Sequence, residues 1–327
     1  MSRFPLLASL ALLSALALPA SADSDDGALY ETLLASKAPA VVSVKFVLHA
    51  TMGGQNQESN QEIHGTIVDP TGVVMVGNDE FDGQMGAMKA LMKARGMEMT
   101  MSPADVKVLF GSDSKEYPAV IVARDSTLGL AFVQILDLEG KTPEAIDLTK
   151  GASPRIGQSA YGVSRKSRGF DCAPTVDRLF VNGKVEKPRV LWSVSGAFGG
   201  KGLPLFDADG KPLGVYSHQK GSEGVDEDGA GGAGGLLAAL GGASEGSCLL
   251  PLDAVLKSYE QAKKRIPEAV AKAKDAAAKD AAEKAAAPKD PAPKDPAMDA
   301  PAPESPKAPA APETPKTPDA PKGDQPK

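Results

Sequence analysis

Short strand-like runs follow one another through the body of the chain, and no helical pattern alternates with them. The runs are β-branched or apolar, and Gly, Pro and Asp residues separate them. Antiparallel strands joined by short turns close into barrels rather than into a parallel sheet. The sequence therefore predicts an all-β fold of two antiparallel six-stranded barrels, with a C-terminal helix and a disordered tail. The first six runs are Val41–Leu48, Ile63–Val68, Val73–Val76, Val106–Phe110, Ala119–Val122 and Leu130–Ile135; the second six are Ser159–Val163, Arg178–Val181, Val185–Val194, Leu203–Phe206, Leu213–Tyr216 and Cys248–Leu250.

One connection in the second set carries a specific turn signal. Asn182-Gly183 lies between two of the runs. Asn-Gly is the preferred pair for a two-residue hairpin turn, because both residues tolerate the positive φ that this turn requires. We therefore expect the chain to reverse direction at these two residues.

The N-terminus has the composition of an export signal. Arg3 is followed by an apolar run, Phe4–Leu18, and then by the small residues Ala20-Ser21-Ala22. This pattern predicts a signal peptide at residues 1–22 and therefore an exported protein, periplasmic or extracellular, of a bacterial type. The run is shorter than the roughly 20 apolar residues that cross a bilayer, and no later segment reaches that length, so no transmembrane segment is predicted.

The C-terminal part of the chain changes character twice. Leu252–Arg265 has an amphipathic pattern and is expected to pack on the second barrel. Residues 267–287 are rich in Ala and Lys and predict a solvated single helix, because they lack an apolar stripe. Residues 288–327 repeat Pro with Lys, Asp and Ala and predict a disordered tail that could act as a spacer or contact the cell wall. The net charge of −6 argues against nucleic-acid binding.

Four segments carry more specific patterns. They are GGKGLPLFDAD at Gly199–Asp209, EIHGTIVDPTGVVMVGNDEF at Glu62–Phe81, YPAVIVARDSTLGLAFVQI at Tyr117–Ile135 and SCLLPLDAVL at Ser247–Leu256. They resemble the landmarks of trypsin-like serine proteases of the HtrA (Deg) type. The resemblance covers residues 38–258 and implies a trypsin-like double β-barrel domain.

The resemblance also implies that the catalytic residues of this family are replaced. The position of the family's serine nucleophile holds Lys201, and that of the aspartate holds Gly129. The histidine position holds Asp79, with Glu80 as the neighbouring acidic alternative. Peptide hydrolysis by this family needs a hydroxyl, an imidazole and a carboxylate together. The resemblance thus implies a pseudoprotease in which no catalytic residue is expected.

The same alignment makes a structural expectation. Gly199, Gly200 and Lys201 occupy the loop that forms the oxyanion hole in the family, so they are interpreted as a vestige of that loop. If the barrels assemble as in the family, Asp79 and Lys201 face each other and are expected to form an ion pair. The alternative is that both side chains point into solvent.

Two groups of residues bear on residual activity. Ser193 and Ser195 lie just before the loop and are the candidate replacement nucleophiles of a rewired site. The chain has three histidines, His49, His64 and His218, none of them at the family's histidine position. We expect these histidines to be structural or exposed.

Two insertions depart from the family pattern. Residues 82–103 are rich in Met, and Met97, Met99 and Met101 alternate. Methionine fills gaps in cores, forms adaptable binding surfaces, or binds Cu(I) through its soft thioether. Packing, partner contact and copper binding therefore remain three interpretations. Residues 221–246 are glycine-rich and acidic and predict a mobile loop between the last two strands.

The two cysteines of the chain lie in the second predicted barrel. Cys172 and Cys248 could form a disulfide in an oxidising compartment. The alternative is two separate thiols, with Cys248 buried. The sequence leaves both alternatives open.

The resemblance implies a non-enzymatic function. We expect an exported trypsin-like domain that binds a peptide or protein partner in the cell envelope, because the extended cleft of a protease can bind peptide backbone by strand addition. Two alternatives remain: a serine endopeptidase with a rewired site, and a methionine-based copper-handling protein. The sequence contains no recognisable PDZ domain and no cofactor motif, and it does not indicate an oligomeric state.

Overall fold

The structure is a computed structural model that describes residues 26–52, 54–85, 98–187, 189–220 and 245–286. The strands of the first half are β1 (Val41–Met52), β2 (Gln55–Asp69), β3 (Val73–Gly77), β4 (Met99–Phe110), β5 (Tyr117–Asp125) and β6 (Leu130–Ile135). Those of the second half are β7 (Ser159–Arg165), β8 (Pro174–Val185), β9 (Leu191–Ser195), β10 (Pro204–Phe206), β11 (Pro212–Lys220) and β12 (Glu245–Leu250).

These strands form two closed antiparallel barrels of six strands each. Barrel 1 has the order β1-β2-β3-β6-β5-β4, and barrel 2 has the order β10-β11-β12-β9-β8-β7. The predicted fold class is therefore confirmed. The predicted signal peptide (1–22), the tail (288–327), most of the glycine-rich loop (221–244) and part of the methionine-rich insertion (86–97) lie outside the described residues.

The barrels pack against each other through strands that are buried on both faces. Every residue of β3 and β6 is buried. Val74 and Val76 point into barrel 1, whereas Val73 and Met75 join the apolar cluster that contains the core of barrel 2. Strands buried on both faces are expected to be continuously apolar, which explains the uninterrupted runs VVMV and LAFV.

The predicted hairpin turn at Asn182-Gly183 is wrong. β8 continues through both residues, and its register against β9 shifts between Val181 and Gly183 as in a β-bulge. β8 ends at Val185 and β9 begins at Leu191, so the connection between them lies beyond this dipeptide. A two-residue turn of this type needs positive φ at both central residues, and neither Asn182 nor Gly183 has it.

The C-terminal helix of the prediction is present and joins the two barrels. Helix α2 (Leu252–Lys263) follows β12 and buries Val255 and Tyr259 on its predicted apolar face. The Tyr259 hydroxyl donates to Asp69 Oδ2 at 2.7 Å, and Ser258 Oγ donates to Asp125 Oδ2 at 2.7 Å. Both acceptors belong to barrel 1, so α2 attaches the end of barrel 2 to barrel 1.

Two further helices flank the barrels. Helix α3 (Ile266–Ala286) covers the Ala/Lys-rich segment, and Pro267 lies in its first turn, where proline is tolerated. Helix α1 (Asp26–Lys37), which the sequence analysis did not predict, buries Leu33 and pairs Asp26 with Arg178 of barrel 2 at 3.0 Å. Among the described residues, no helix is both long and apolar enough to cross a membrane.

The two cysteines do not form a disulfide in the structure. Cys172 and Cys248 are both buried free thiols. Cys172 lies in the connection from β7 to β8, where its carbonyl oxygen accepts from Arg165 Nη1 at 3.1 Å. Cys248 lies within β12, and its thiol donates to the Ser217 carbonyl at 3.4 Å. Burial raises the pKa of the Cys248 thiol to about 11.

Arg165 links the two barrels. We call the interface where Arg165 of barrel 2 contacts Ala38 and Val41 the seam. Arg165 ends β7 of barrel 2, and its guanidinium donates to the carbonyl oxygen of Val41 at 2.8 Å and to that of Ala38 at 2.6 Å. Val41 is the first residue of β1, and Ala38 begins the 3-10 helix Ala38–Ala40 that leads into it. A single side chain thus connects the end of β7, the β7–β8 connection and the entry into barrel 1.

His64 lies on the barrel 1 side of the seam and makes stability depend on pH. Burial lowers the pKa of His64 below its ordinary value of 6.5; Glu62 opposes this, and Arg165 adds to it. Because the pKa is lower in the folded than in the unfolded state, the native state loses stability as pH falls below 6.5. We expect a loss of up to about 1.4 kcal/mol per pH unit in this window.

Urea unfolding at pH values on either side of 6.5 measures this dependence. His64→Gln should flatten it. A native protein whose stability stays constant from neutral pH to about pH 5 would contradict the prediction.

Candidate functional site

The first half of the site is the loop that follows β3. The 3-10 helix Asp79–Met85 begins one residue after Asn78. The Asn78 backbone donates to the Gly129 carbonyl at 2.8 Å, and Arg124 of β5 donates both to the Asn78 side chain and, at 3.1 Å, to its carbonyl. Arg124 and Gly129 therefore fix the backbone immediately before Asp79.

The second half is the loop that precedes β10. Gly202 has a φ of +78°, and its N–H donates to the Tyr216 carbonyl at 2.8 Å. A Cβ at Gly202 would lie 2.2 Å from the backbone nitrogen of Gly77. The loop of barrel 2 therefore lies directly against the end of β3, and only glycine fits at position 202.

The two loops meet in an ion pair. Lys201 Nζ lies 2.9 Å from Asp79 Oδ2 and 3.9 Å from Glu80 Oε1. The predicted pairing of Asp79 with Lys201 is therefore confirmed, and of the two acidic candidates Asp79 makes the closer contact. Burial raises the pKa of the Glu80 carboxyl, against the lowering effect of Lys201.

The ion pair is partly exposed, and this limits its contribution to stability. The Asp79 side chain is 53% exposed and that of Lys201 26%. In a double-mutant cycle of Asp79→Asn and Lys201→Met, we expect a coupling energy of about 0.5–1 kcal/mol, because solvent screens exposed pairs. Urea unfolding of the four proteins measures it. A coupling above about 3 kcal/mol would instead indicate a desolvated pair.

The remaining glycines of the loop differ in their surroundings. Gly199 is exposed, and a Cβ placed on it would touch nothing within 4 Å. Gly200 is buried, and a Cβ there would lie 2.5 Å from Leu203 Cδ1 and 2.6 Å from the Phe198 ring. A side chain would therefore fit at Gly199 but not at the neighbouring Gly200.

An aromatic pair fills the space beneath this loop. The ring of Phe198 packs edge-on against Tyr216 with centroids 5.1 Å apart, and both residues are buried. The Tyr216 hydroxyl contacts His218 Nε2 at 2.9 Å and Ser247 Oγ at 3.0 Å. The space between the loop, β11 and β12 is thus occupied by the protein's own side chains.

Each histidine and candidate serine has a defined place. His49 pairs with Glu58 across the β1–β2 hairpin at 3.0 Å. His64 lies in the seam, and His218 contacts the Tyr216 hydroxyl. Ser193 pairs in register with Cys248 and Ser195 with Phe180, so both belong to β9 rather than to the loop.

Two methionines of the insertion, Met99 and Met101, belong to barrel 1. Met99 is buried at the start of β4, and Met101 packs on the core of this barrel. Met97 lies outside the described residues. Packing in barrel 1 therefore accounts for Met99 and Met101. Within the described ranges, no group of three or more His, Cys, Asp or Glu residues could hold a metal ion.

Sequence reasoning found the two members of the ion pair and missed the residues that position them. Arg124 lies inside the segment Tyr117–Ile135 that carried the resemblance, so a signal for it was available. Phe198 left no such signal, because its role depends on its contact with Tyr216 and other residues that are distant in sequence.

Two comparisons with known proteins returned a match. The model of the family described as "Trypsin-like peptidase domain" matches residues 92–215. A solved structure described as "Crystal structure of Deg5" is similar with a TM-score of 0.45 and 16% identity, covering 71% of this chain and 93% of the other. No curated protein sequence matches the chain. The two closed barrels, together with the family-model match, give this chain the fold of the trypsin-like peptidases.

Proposed function

We propose that this chain is an exported, non-catalytic trypsin-like domain that binds peptide or protein partners in the cell envelope. The ion pair between Lys201 and Asp79 carries the proposal. By the resemblance, these residues occupy the positions of the serine and the histidine. Gly129, at the aspartate position, offers only a backbone carbonyl to the loop that holds Asp79.

The chemistry of the pair argues against acyl transfer. An ammonium hydrogen-bonded to a carboxylate has no lone pair with which to attack a carbonyl, and a carboxylate at the histidine position cannot replace an imidazole that shuttles protons near neutral pH. Phe198 and Tyr216 also fill the space beneath the loop. The pair is therefore suited to holding the loop against barrel 1 rather than to catalysis.

A cleft between barrels can bind peptides without hydrolysing them. Strand addition uses main-chain hydrogen bonds for affinity and side-chain pockets for specificity, and neither depends on a triad. The close approach of Gly202 to β3 keeps the loop fixed. A fixed loop loses less entropy when a ligand binds.

Activity and binding are tested separately. We expect no labelling by a fluorophosphonate probe and no degradation of casein by the protein comprising residues 23–327. Lys201→Ser should also stay inactive, because it restores a hydroxyl without an imidazole. Turnover by the native protein that is lost with Ser193→Ala or Ser195→Ala would instead establish a rewired peptidase.

Binding is measured with fluorescein-labelled casein as an unfolded probe. Gly199→Phe places a ring at the open position of the loop and should weaken binding on the order of tenfold. Gly169→Phe, at an exposed glycine in the β7–β8 connection, is the matched control and should bind like the native protein. Equal affinities for all three proteins would exclude the cleft as the binding site.

A further inference from the structure

Three polar side chains share the outer face of barrel 1, on the side of the seam. Ser43 of β1 and His64 of β2 are direct cross-strand partners, and Thr66 lies two residues further along β2 on the same face. We call these three residues the seam cluster. Ser43 and Thr66 are fully buried.

Each of the three side chains has one buried polar atom without a hydrogen-bond partner. Ser43 Oγ, His64 Nε2 and Thr66 Oγ1 are buried, and no hydrogen-bond partner among the described residues reaches any of them. Buried polar atoms in native proteins are nearly always paired with protein, ordered water or a bound ion. Three such atoms on one face of one strand pair therefore indicate an occupant.

Arg165 gives the seam a positive charge that no carboxylate of the described residues balances. Its three hydrogen-bond acceptors are neutral backbone carbonyls, including that of Val41, the cross-strand partner of Thr66. The charge also acts on His64, since Arg165 contributes to lowering its pKa. The seam cluster thus lies beside a partly buried cation.

The charges further out along the same face are already paired. Glu62, two residues before His64, forms an ion pair with Arg168, whose Nε lies 3.6 Å from Glu62 Oε2 and is itself buried without a hydrogen-bond partner. Lys45, the cross-strand partner of Glu62, pairs with Glu116 at 3.1 Å. The unbalanced charge is therefore confined to Arg165 and the seam cluster.

We propose that the seam cluster, together with Arg165, binds a small monovalent anion such as chloride between the two barrels. Each of the three orphaned atoms can donate a hydrogen bond: both hydroxyls, and Nε2 of the tautomer that carries its proton there. Hydrogen bonds to an ionised acceptor are stronger than those to a neutral one, and here they act in a buried site beside a cation. The enclosure of both hydroxyls favours a monatomic ion over a polyatomic one.

Thermal unfolding in two sodium salts of equal ionic strength tests the proposal. Replacing gluconate, a bulky organic anion, with chloride at about 300 mM should raise the Tm by about 2–4 °C, because a ligand of the native state stabilises it by mass action. Bromide should act like chloride. A Tm that is the same in chloride and gluconate would overturn the proposal and leave ordered water as the occupant.

Variants without the Ser43 and Thr66 hydroxyls distinguish a bound anion from a general effect of salt on stability. The double variant Ser43→Ala/Thr66→Val should lose the chloride-dependent shift. Thr100→Val/Ser102→Ala, which changes the same residue types at exposed positions of β4, should keep it. A chloride response that survives in the seam variant would contradict the assignment of the site.

Crystals grown in bromide give a second measurement that does not depend on the stability of any variant. An anomalous peak between Ser43, His64 and Thr66 is expected. A seam that contains only water density would overturn the proposal. Since the seam is separate from the Asp79–Lys201 pair, the proteolysis and casein experiments do not bear on this result.

Discussion

Replacing Arg165 with Met is expected to lower the free energy of unfolding by about 3–5 kcal/mol, the largest loss from any single side chain considered for this protein. The guanidinium satisfies the carbonyl oxygens of Ala38, Val41 and Cys172 at the seam. Methionine keeps an unbranched apolar side chain but has no donor, so it leaves these acceptors without the hydrogen bonds of Arg165. Urea unfolding followed by tryptophan fluorescence measures the change.

Two variants give this prediction its contrast. Arg165→Lys keeps the positive charge but cannot form the planar fork that reaches all three carbonyls. Its free energy of unfolding should therefore lie between those of the native protein and Arg165→Met. Arg155→Met, at an exposed arginine of the same barrel, should change stability by no more than about 0.5 kcal/mol. Equal effects of Arg155→Met and Arg165→Met would show that the seam contacts contribute nothing.

Gly202→Ala is the second substitution with a large expected effect, a loss of about 2–5 kcal/mol from backbone strain and overpacking together. The φ of +78° disfavours any L side chain. The added methyl would also lie 2.2 Å from the nitrogen of Gly77 and 2.4 Å from the carbonyl carbon of Val76. Neither backbone atom can move without disturbing β3.

Gly199→Ala, three residues earlier in the same loop, is the matched control. Gly199 lacks a positive φ and has open space around it, so its replacement should change stability by no more than about 0.5 kcal/mol. Thermal unfolding of both variants tests the contrast. If Gly202→Ala were as stable as Gly199→Ala, the loop would not lie against β3 as the structure shows.

The strand pattern was sufficient to predict two barrels because burial imposes a direct periodicity on sequence. β3 and β6 read as unbroken apolar runs since both of their faces are covered. The amphipathic pattern of α2 likewise identified Val255 and Tyr259 as its buried face. Patterns of this kind depend only on which side of an element meets the core.

Local turn signals were less reliable than burial patterns. Asn182-Gly183 has the composition of a hairpin turn, yet the pairing of β8 with β9 continues through it with a bulge. Pairing beyond the dipeptide, over Lys184 with Trp192 and Val185 with Leu191, extends the strand. The free energy that favours a turn at one dipeptide is small compared with the free energy of pairing and packing the strands on either side.

The sequence by itself determined the all-β class, the succession of strands and the pairing of opposite charges at Asp79 and Lys201. The first two follow from hydrophobic periodicity, and the pairing follows from aligned positions in the resemblance. Only the tertiary structure decided that the two cysteines stay apart, that α1 covers barrel 2, and that Arg165 and the seam cluster share one buried interface. The reason is physical: burial of a polar group, and the distance between two side chains remote in sequence, exist only once both barrels are folded and packed together.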